Sequence, residues 1–314
     1  MEDLLGPELI ARLDRLEVLS RKVFSGKLPG ERRSKRRGTS VEFDDYRNYV
    51  AGDDLRRIDW NVFARMDRFF IKLFREEEDQ ALHLVIDASA SMDAGDPSKL
   101  VLAQRIAMAL GYIGLVNHWR VVAAVIGAPG RRAVQQLAPL RGRRNAQRLA
   151  DFVLKNVWAP EGEVREFGAG AAVSLPDGLR TLALSRRGRG VMVVMSDFLV
   201  REDLRRGLNY LAGGGLAGDG FDVHCLQVLS PGELEPEKDA VIGDLRLMDA
   251  ETGAAAEVTV SGALLTQYKK RVRDYVDSVH AACVGRGMTH SMVRSDADVA
   301  ALLTGYLRTR GLLG

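Results

Sequence analysis

The stretch "HLVIDASASMDAG", residues 83–95, joins two runs of opposite character. Its apolar lead-in, "LHLVI", reads as a buried strand, and the chain then delivers Asp87, Ser89 and Ser91 at alternate positions before Gly95 breaks the pattern. A core strand ending in a carboxylate and two evenly spaced hydroxyls has two physical uses. The hydroxyls cap the helix that follows, or the three oxygens hold a cation.

Outward from this stretch, strand-like and helix-like segments alternate. A helical stretch over about 99–115 is followed by "VVAAVI", helices over about 145–154 and near 176–185, the run "VMVVMS", a short helix near 203–211 and "DVHCLQVL". Continuously apolar strands separated by helices predict a mostly parallel sheet covered on both faces, an α/β fold. Residues 231–262 interrupt the rhythm with turn signals and the β-prone pieces "RLMD" and "AEVTV", a small β excursion. A helix over about 263–285, a strand "THSMV" and a final helix over about 296–310 resume it.

The front part is less regular. Leu9, Ile10, Leu13, Leu16, Val18 and Leu19 lie near helical spacing and predict a helix over 7–24, which "SGKLPGERRSKRRGTS" ends. "FFIKLFR" has the composition of a strand. The expected division is an N-terminal helix and strand extension over 1–79 and a sheet domain over 80–314.

With 314 residues, 46% of them hydrophobic, the chain can bury a substantial core. Net charge is only +3, so the surface as a whole carries no nucleic-acid signal. The two cysteines, Cys225 and Cys283, are far apart in sequence and show no C-x-x-C spacing, which fits a reducing compartment. The acidic, amphipathic N-terminus does not read as a signal peptide. Residues 100–130 carry Gln104, Arg105, Asn117, His118 and Arg120, too polar for a spanning helix. A soluble cytoplasmic protein is expected.

In open parallel sheets ligands collect beyond the carboxyl ends of the strands. Asp87, Ser89 and Ser91 fall there, and Asp197 in "VMVVMSDF" ends another strand at the same edge. Such hard oxygen donors suit Mg²⁺ or Mn²⁺, with water retained in part of the shell. A site rich in hydroxyls leaves the ion electrophilic enough to take an Asp or Glu from a protein partner. The plainer alternative makes Ser89 or Ser91 a cap and Asp197 an ordinary loop carboxylate.

"DASAS" and, later, "MSDF" resemble the D-x-S-x-S signature and the Asp-bearing loop of the metal-ion-dependent adhesion site in von Willebrand factor A-type domains. That site usually includes a threonine between the two. The resemblance assigns this role to Ser174 in "GAGAAVSLPDGL", with Thr181 as runner-up. "FDDYRNYVAGDDLRRIDWNVFAR", with "DLRLMDAETG" and "YLRTRG", is similar to domain-of-unknown-function family 58 over nearly the whole chain. The resemblance implies a von Willebrand A-like, Rossmann-like fold and a role beside a MoxR-type AAA+ ATPase in protein assembly or maturation. Some relatives carry a membrane hairpin ahead of the signature, and this sequence has none there.

Within the signature, Arg47, Arg56 and Arg65 alternate with Asp53, Asp54 and Asp59, a mixture suited to charge-assisted bonds that clamp the front part to the sheet domain, with Trp60 as apolar anchor. The alternative use is contact with a partner or phosphate. Two basic clusters, residues 31–37 and the region of Arg131, Arg141, Arg143, Arg144 and Arg148, lack interleaved aromatics and read as solvated loops or docking surfaces for an acidic partner rather than nucleic-acid sites. No P-loop, G-x-S-x-G or H-E-x-x-H motif appears, and His224 and Cys225 lie in an apolar strand. A Mg²⁺-dependent phosphohydrolase using Asp87 and Asp197 is the enzymatic alternative, with Ser89 standing where a second aspartate would complete the pair.

Overall fold

The apolar run around Leu82 is the middle of a six-stranded sheet. The computed structural model describes residues 4–20, 43–50, 53–74, 80–129, 131, 133–157, 172–186, 189–200, 202–213, 221–239, 243–249 and 254–314. Its strands are β1 (Phe43–Asn48), β2 (Phe70–Phe74), β3 (Gln80–Asp87), β4 (Arg120–Ile126), β5 (Gln135–Gln136), β6 (Arg189–Ser196), β7 (Phe221–Leu229), β8 (Gly243–Met248), β9 (Ala255–Val260) and β10 (Thr289–Arg294). The sheet runs in the order β10-β7-β6-β3-β4-β5 and is parallel except for the short edge strand β5. The fold is mixed α/β with a mostly parallel central sheet. Strand order reverses between β3, which is followed by β4 on one side, and β6 on the other.

Period-two burial explains why the strands read as continuously apolar. Leu82, Leu84 and Ile86 of β3 join one core with Val121, Ala123 and Val125 of β4 and Val191, Val193 and Met195 of β6. Ala81 and Val85 face the other core with Ala124, Ile126, Met192 and Val194. Each face is covered by helices: Lys99–Val116 and Ala146–Val157 on the first, Leu175–Ser185, Leu204–Ala212 and part of Gly262–Val284 on the second. Burying one such Leu, Ile or Val contributes about 1.5–3 kcal/mol, so these two layers are the main source of stability.

Lys99–Val116 is the only helix among the described residues long and apolar enough to cross a membrane, and 83% of it is buried inside the fold. It is apolar on nearly all sides because it lies between the sheet and the two chain termini. Gly111 and Gly114 let it approach closely, since a Cβ at either would meet Leu84, Leu149, Leu82 or Val121 at 3.0 Å or less.

The chain divides into two compact units, residues 24–79 and residues 1–23 with 80–314. The grouping therefore puts the first helix with the sheet rather than with the Arg/Asp signature. That helix is also shorter than its periodicity predicts, Pro7–Leu13. Leu16 and Val18 are buried outside it: Val18 forms a β-bridge with Leu313, and Asn117 donates to the carbonyl of Leu16. Burial, and then its donation to Asp14 at 2.7 Å, pushes the Tyr112 phenol up to about 12.

In the other unit, β1 and β2 pair antiparallel beside a helix, Trp60–Met66, capped by Asp59. The β excursion is an antiparallel hairpin of β8 and β9. The expected final helix is a run from Val299 to Thr309 interrupted by a π-turn at Leu302–Tyr306.

Candidate functional site

Asp87 ends β3 beside the reversal of strand order, the place where ligands collect in open parallel sheets. Its side chain is fully buried and held at both oxygens. Oδ1 accepts from the Ser89 backbone N–H at 2.9 Å, and Oδ2 from the Ser196 hydroxyl at 2.6 Å. Burial, followed by the nearby charge of Asp197, pushes its carboxyl up to about 6, against the pull of these hydrogen bonds. Ser89 and Ser91 are half-buried, with their hydroxyl oxygens 3.1 Å apart. Ser89 stands at the N-cap of the short helix Ala90–Asp93 but makes no side-chain cap bond, and Ser98 makes none to the helix at Lys99. The Ser89 and Ser91 hydroxyls bond to each other instead.

Gly127, after β4, closes the other wall. Its φ is +74°, and a Cβ there would lie 3.1 Å from Asp87 Oδ1 and 3.2 Å from Ser89 N. Only a glycine fits both the backbone conformation and this approach.

Asp197 follows β6 and is buried, with Oδ1 accepting from the Leu199 N–H at 3.0 Å. Its Oδ2 receives the ammonium of Lys99 at 2.8 Å, and the same ammonium reaches Glu233 Oε1 at 2.5 Å. Glu233 belongs to a capping box: its Oε2 accepts from the Ser230 N–H, while Ser230 caps the turn Pro231–Leu234 after β7. Gln227 donates to the Asp197 carbonyl and contacts His290, continuing the polar network across β7 to β10.

Ser174 caps Leu175–Ser185, accepting from Asp177 N and donating to Asp177 Oδ2. Thr181 bonds back to the Asp177 carbonyl within that helix. Neither hydroxyl bonds to Asp87, Ser89, Ser91 or Asp197.

In residues 43–74, Arg47 pairs with Asp53 at 2.6 Å, Asp54 caps a 3-10 turn through the Arg56 N–H, and Asp59 caps its helix while accepting from Tyr46. Arg56 and Arg65 are exposed. Trp60 is not the buried anchor that the sequence suggests: it is 59% exposed and packs edge-on to Phe63 and Phe69. The buried apolar positions there are Ile58 and Ile71, paired as a β-bridge. The basic run 31–37 lies outside the described residues, as does Arg132. Arg143 stacks over Tyr112 and reaches Asp14.

Sequence reasoning missed Ser196, Lys99 and Glu233. A cation in the first turn of a helix opposes the macrodipole, so a lysine opening an apolar 18-residue helix was itself the signal. It also missed that Cys225 on β7 and Cys283 in Gly262–Val284, both free and buried, act on each other, Cys283 together with burial pushing the Cys225 thiol up.

The Ser89 and Ser91 hydroxyls hydrogen-bond each other at 3.1 Å, and hydroxyl and carboxylate oxygens are the donor type that Mg²⁺ takes. Asp197, by contrast, already has a cation in Lys99.

A family model described as "Protein of unknown function DUF58" matches residues 45–277. The chain belongs to the DUF58 family. Uncharacterised proteins of Mycobacterium bovis and Mycobacterium tuberculosis are each 27% identical over 311 residues, covering 98% of this chain and 92% of theirs. A shorter uncharacterised protein of Mycobacterium avium is 29% identical over 170 residues, 54% of this chain and 90% of its own. Among solved structures, an aerotolerance-related membrane protein from Bacteroides fragilis with multiple mutations to serines covers 74% of this DUF58 chain and 98% of its own, at 13% identity and TM-score 0.41. The mussel byssus proximal thread matrix protein 1 covers 48% of this chain and 35% of its own, at 12% identity and TM-score 0.32.

Proposed function

We propose that this DUF58 chain is a cation-dependent protein-interaction module with a von Willebrand factor A-like sheet domain, acting in the cytoplasm beside a MoxR-type AAA+ ATPase in protein assembly or maturation. The observation that carries the reading is the pair of hydroxyls, Ser89 and Ser91, bonded to each other rather than to a helix end, next to buried Asp87 where the strand order reverses. The D-x-S-x-S resemblance and the von Willebrand A-like expectation for the family support it.

Asp87, Ser89 and Ser91 would hold Mg²⁺ or Mn²⁺, which would supply electrostatic attraction for an Asp or Glu side chain of a partner. The protein's own part is positional. Ser196 and the Ser89 backbone orient the Asp87 carboxylate, Gly127 leaves the space beside Asp87 Oδ1 that a Cβ would crowd, and the hydroxyls add donors without adding charge.

The test is Mg²⁺ titration followed by calorimetry and thermal melting of the full chain. Wild type should bind and gain melting temperature through linkage to the folded state, and Asp87→Ala and Ser89→Ala should lose that gain. Equal Mg²⁺ affinity in wild type and Asp87→Ala sinks the reading.

A further inference from the structure

Lys99 has two reasons not to be where it is. Its side chain is fully buried, which strips the ammonium of water. It also opens an 18-residue helix, at the end where the macrodipole is positive. An apolar side chain would serve the surrounding core better. What holds Lys99 in place is a pair of carboxylates from two different connections, Asp197 after β6 and Glu233 after β7. Asp197, whose charge acts on Asp87, thereby has its Oδ2 on the Lys99 ammonium and its Oδ1 on the Leu199 N–H. Asp87, Asp197 and Glu233 carry three negative charges and Lys99 one positive, so with all ionised the cluster is left with the charge that one divalent ion balances.

We propose that Lys99 is a tethered competitor for the divalent cation: its ammonium occupies Asp197 when the ion is absent and yields that carboxylate when the ion binds at Asp87, Ser89 and Ser91. This rests on the cation reading of the site. Because the same ammonium is bonded to Glu233, whose other oxygen pins the Ser230 backbone, release from Asp197 is felt in the turn Pro231–Leu234. Ion binding at β3 is thus linked to the turn that leads into the β8–β9 hairpin.

The test is titration of the full chain with MgCl₂ alone by calorimetry, for wild type, Lys99→Met and Lys99→Arg. Removing the ammonium frees Asp197 and removes a like charge, so Lys99→Met should bind Mg²⁺ at least about tenfold more tightly. Lys99→Arg, which keeps the charge, should stay near wild type. A folded Lys99→Met with equal or weaker affinity overturns the proposal and leaves the cation reading standing. No heat from either wild type or Lys99→Met at millimolar Mg²⁺ overturns both. Should Lys99→Met not fold, the ¹H–¹⁵N signal of the buried Lys99 ammonium in wild type decides. It should shift along a saturating Mg²⁺ curve, and should not do so in Asp87→Asn. An ammonium signal unmoved at Mg²⁺ saturation overturns the proposal.

Discussion

At Asp87 a single carboxylate is desolvated and oriented at a strand end, and the Ser196 hydroxyl, with the Ser89 N–H, makes its burial tolerable. Ser196→Ala removes the donor to Oδ2 and leaves that oxygen without it. The expected cost is about 1–3 kcal/mol in urea unfolding, with Asp87 moved to a still higher pKa as the charged form loses its bond. Gly127→Ala should behave differently. It imposes a side chain on a left-handed backbone, 3.1 Å from Asp87 Oδ1, so both stability and the Mg²⁺-dependent rise in melting temperature should fall. A Gly127→Ala protein with the wild-type Mg²⁺ response would show that this wall does not shape the site. Asp87, Ser89 and Ser91 could be named from sequence because their spacing is local. Ser196, 109 residues from Asp87, could not be, because only the pairing of β3 with β6 brings their ends together.

Among the elements, β3 carries a second buried ionisable group. His83 has its pKa lowered to about 4, first by burial and then by the charges of Arg120 and Arg186. His290 on β10 is also lowered to about 4, mainly by burial. The unfolded imidazoles titrate near 6.5, so between about pH 6.5 and 4 the unfolded chain binds more protons than the native one. Stability should be at its plateau with respect to these groups above about pH 6.5 and be lost as pH falls through that window, by up to about 1.4 kcal/mol per pH unit for each. His83→Leu should flatten the slope in denaturant unfolding measured from pH 7 to 4.5; an unchanged slope would place the titration elsewhere. In the 43–74 unit the apolar weight rests on Ile71 rather than Trp60. Ile71→Ala should cost about 2–5 kcal/mol, and Trp60→Ala clearly less, as read by unfolding of the full chain. Strands were legible because burial on both faces leaves an unbroken apolar run. The helical spacing continues past Leu13 without a helix because Leu16 is buried in the core and Val18 is bridged to Leu313.

Across the whole molecule, the two ends of the chain complete one face of the sheet. Leu5 and Leu13 are fully buried in the same core as Leu303, Leu307 and Leu313. Leu13→Ala should therefore cost about 2–5 kcal/mol, a core-cavity penalty rather than a surface one. A loss below about 0.5 kcal/mol in chemical denaturation would remove the N-terminal helix from the core. Truncating residues 1–79 takes out these core side chains together with the Arg/Asp signature, so any loss of stability it produces cannot be credited to the signature. The α/β class, the succession of strands and helices after residue 80, the hairpin excursion and the Asp-Ser-Ser cluster at a strand end are legible in the residues alone, because each is written in short-range periodicity or spacing. That Lys99 answers Asp197 and Glu233, that Ser196 supports Asp87, that Trp60 is exposed and that the first helix belongs with the sheet became visible only in the folded chain. Those facts depend on which strands become neighbours and which charges are stripped of water together, and no local pattern encodes either.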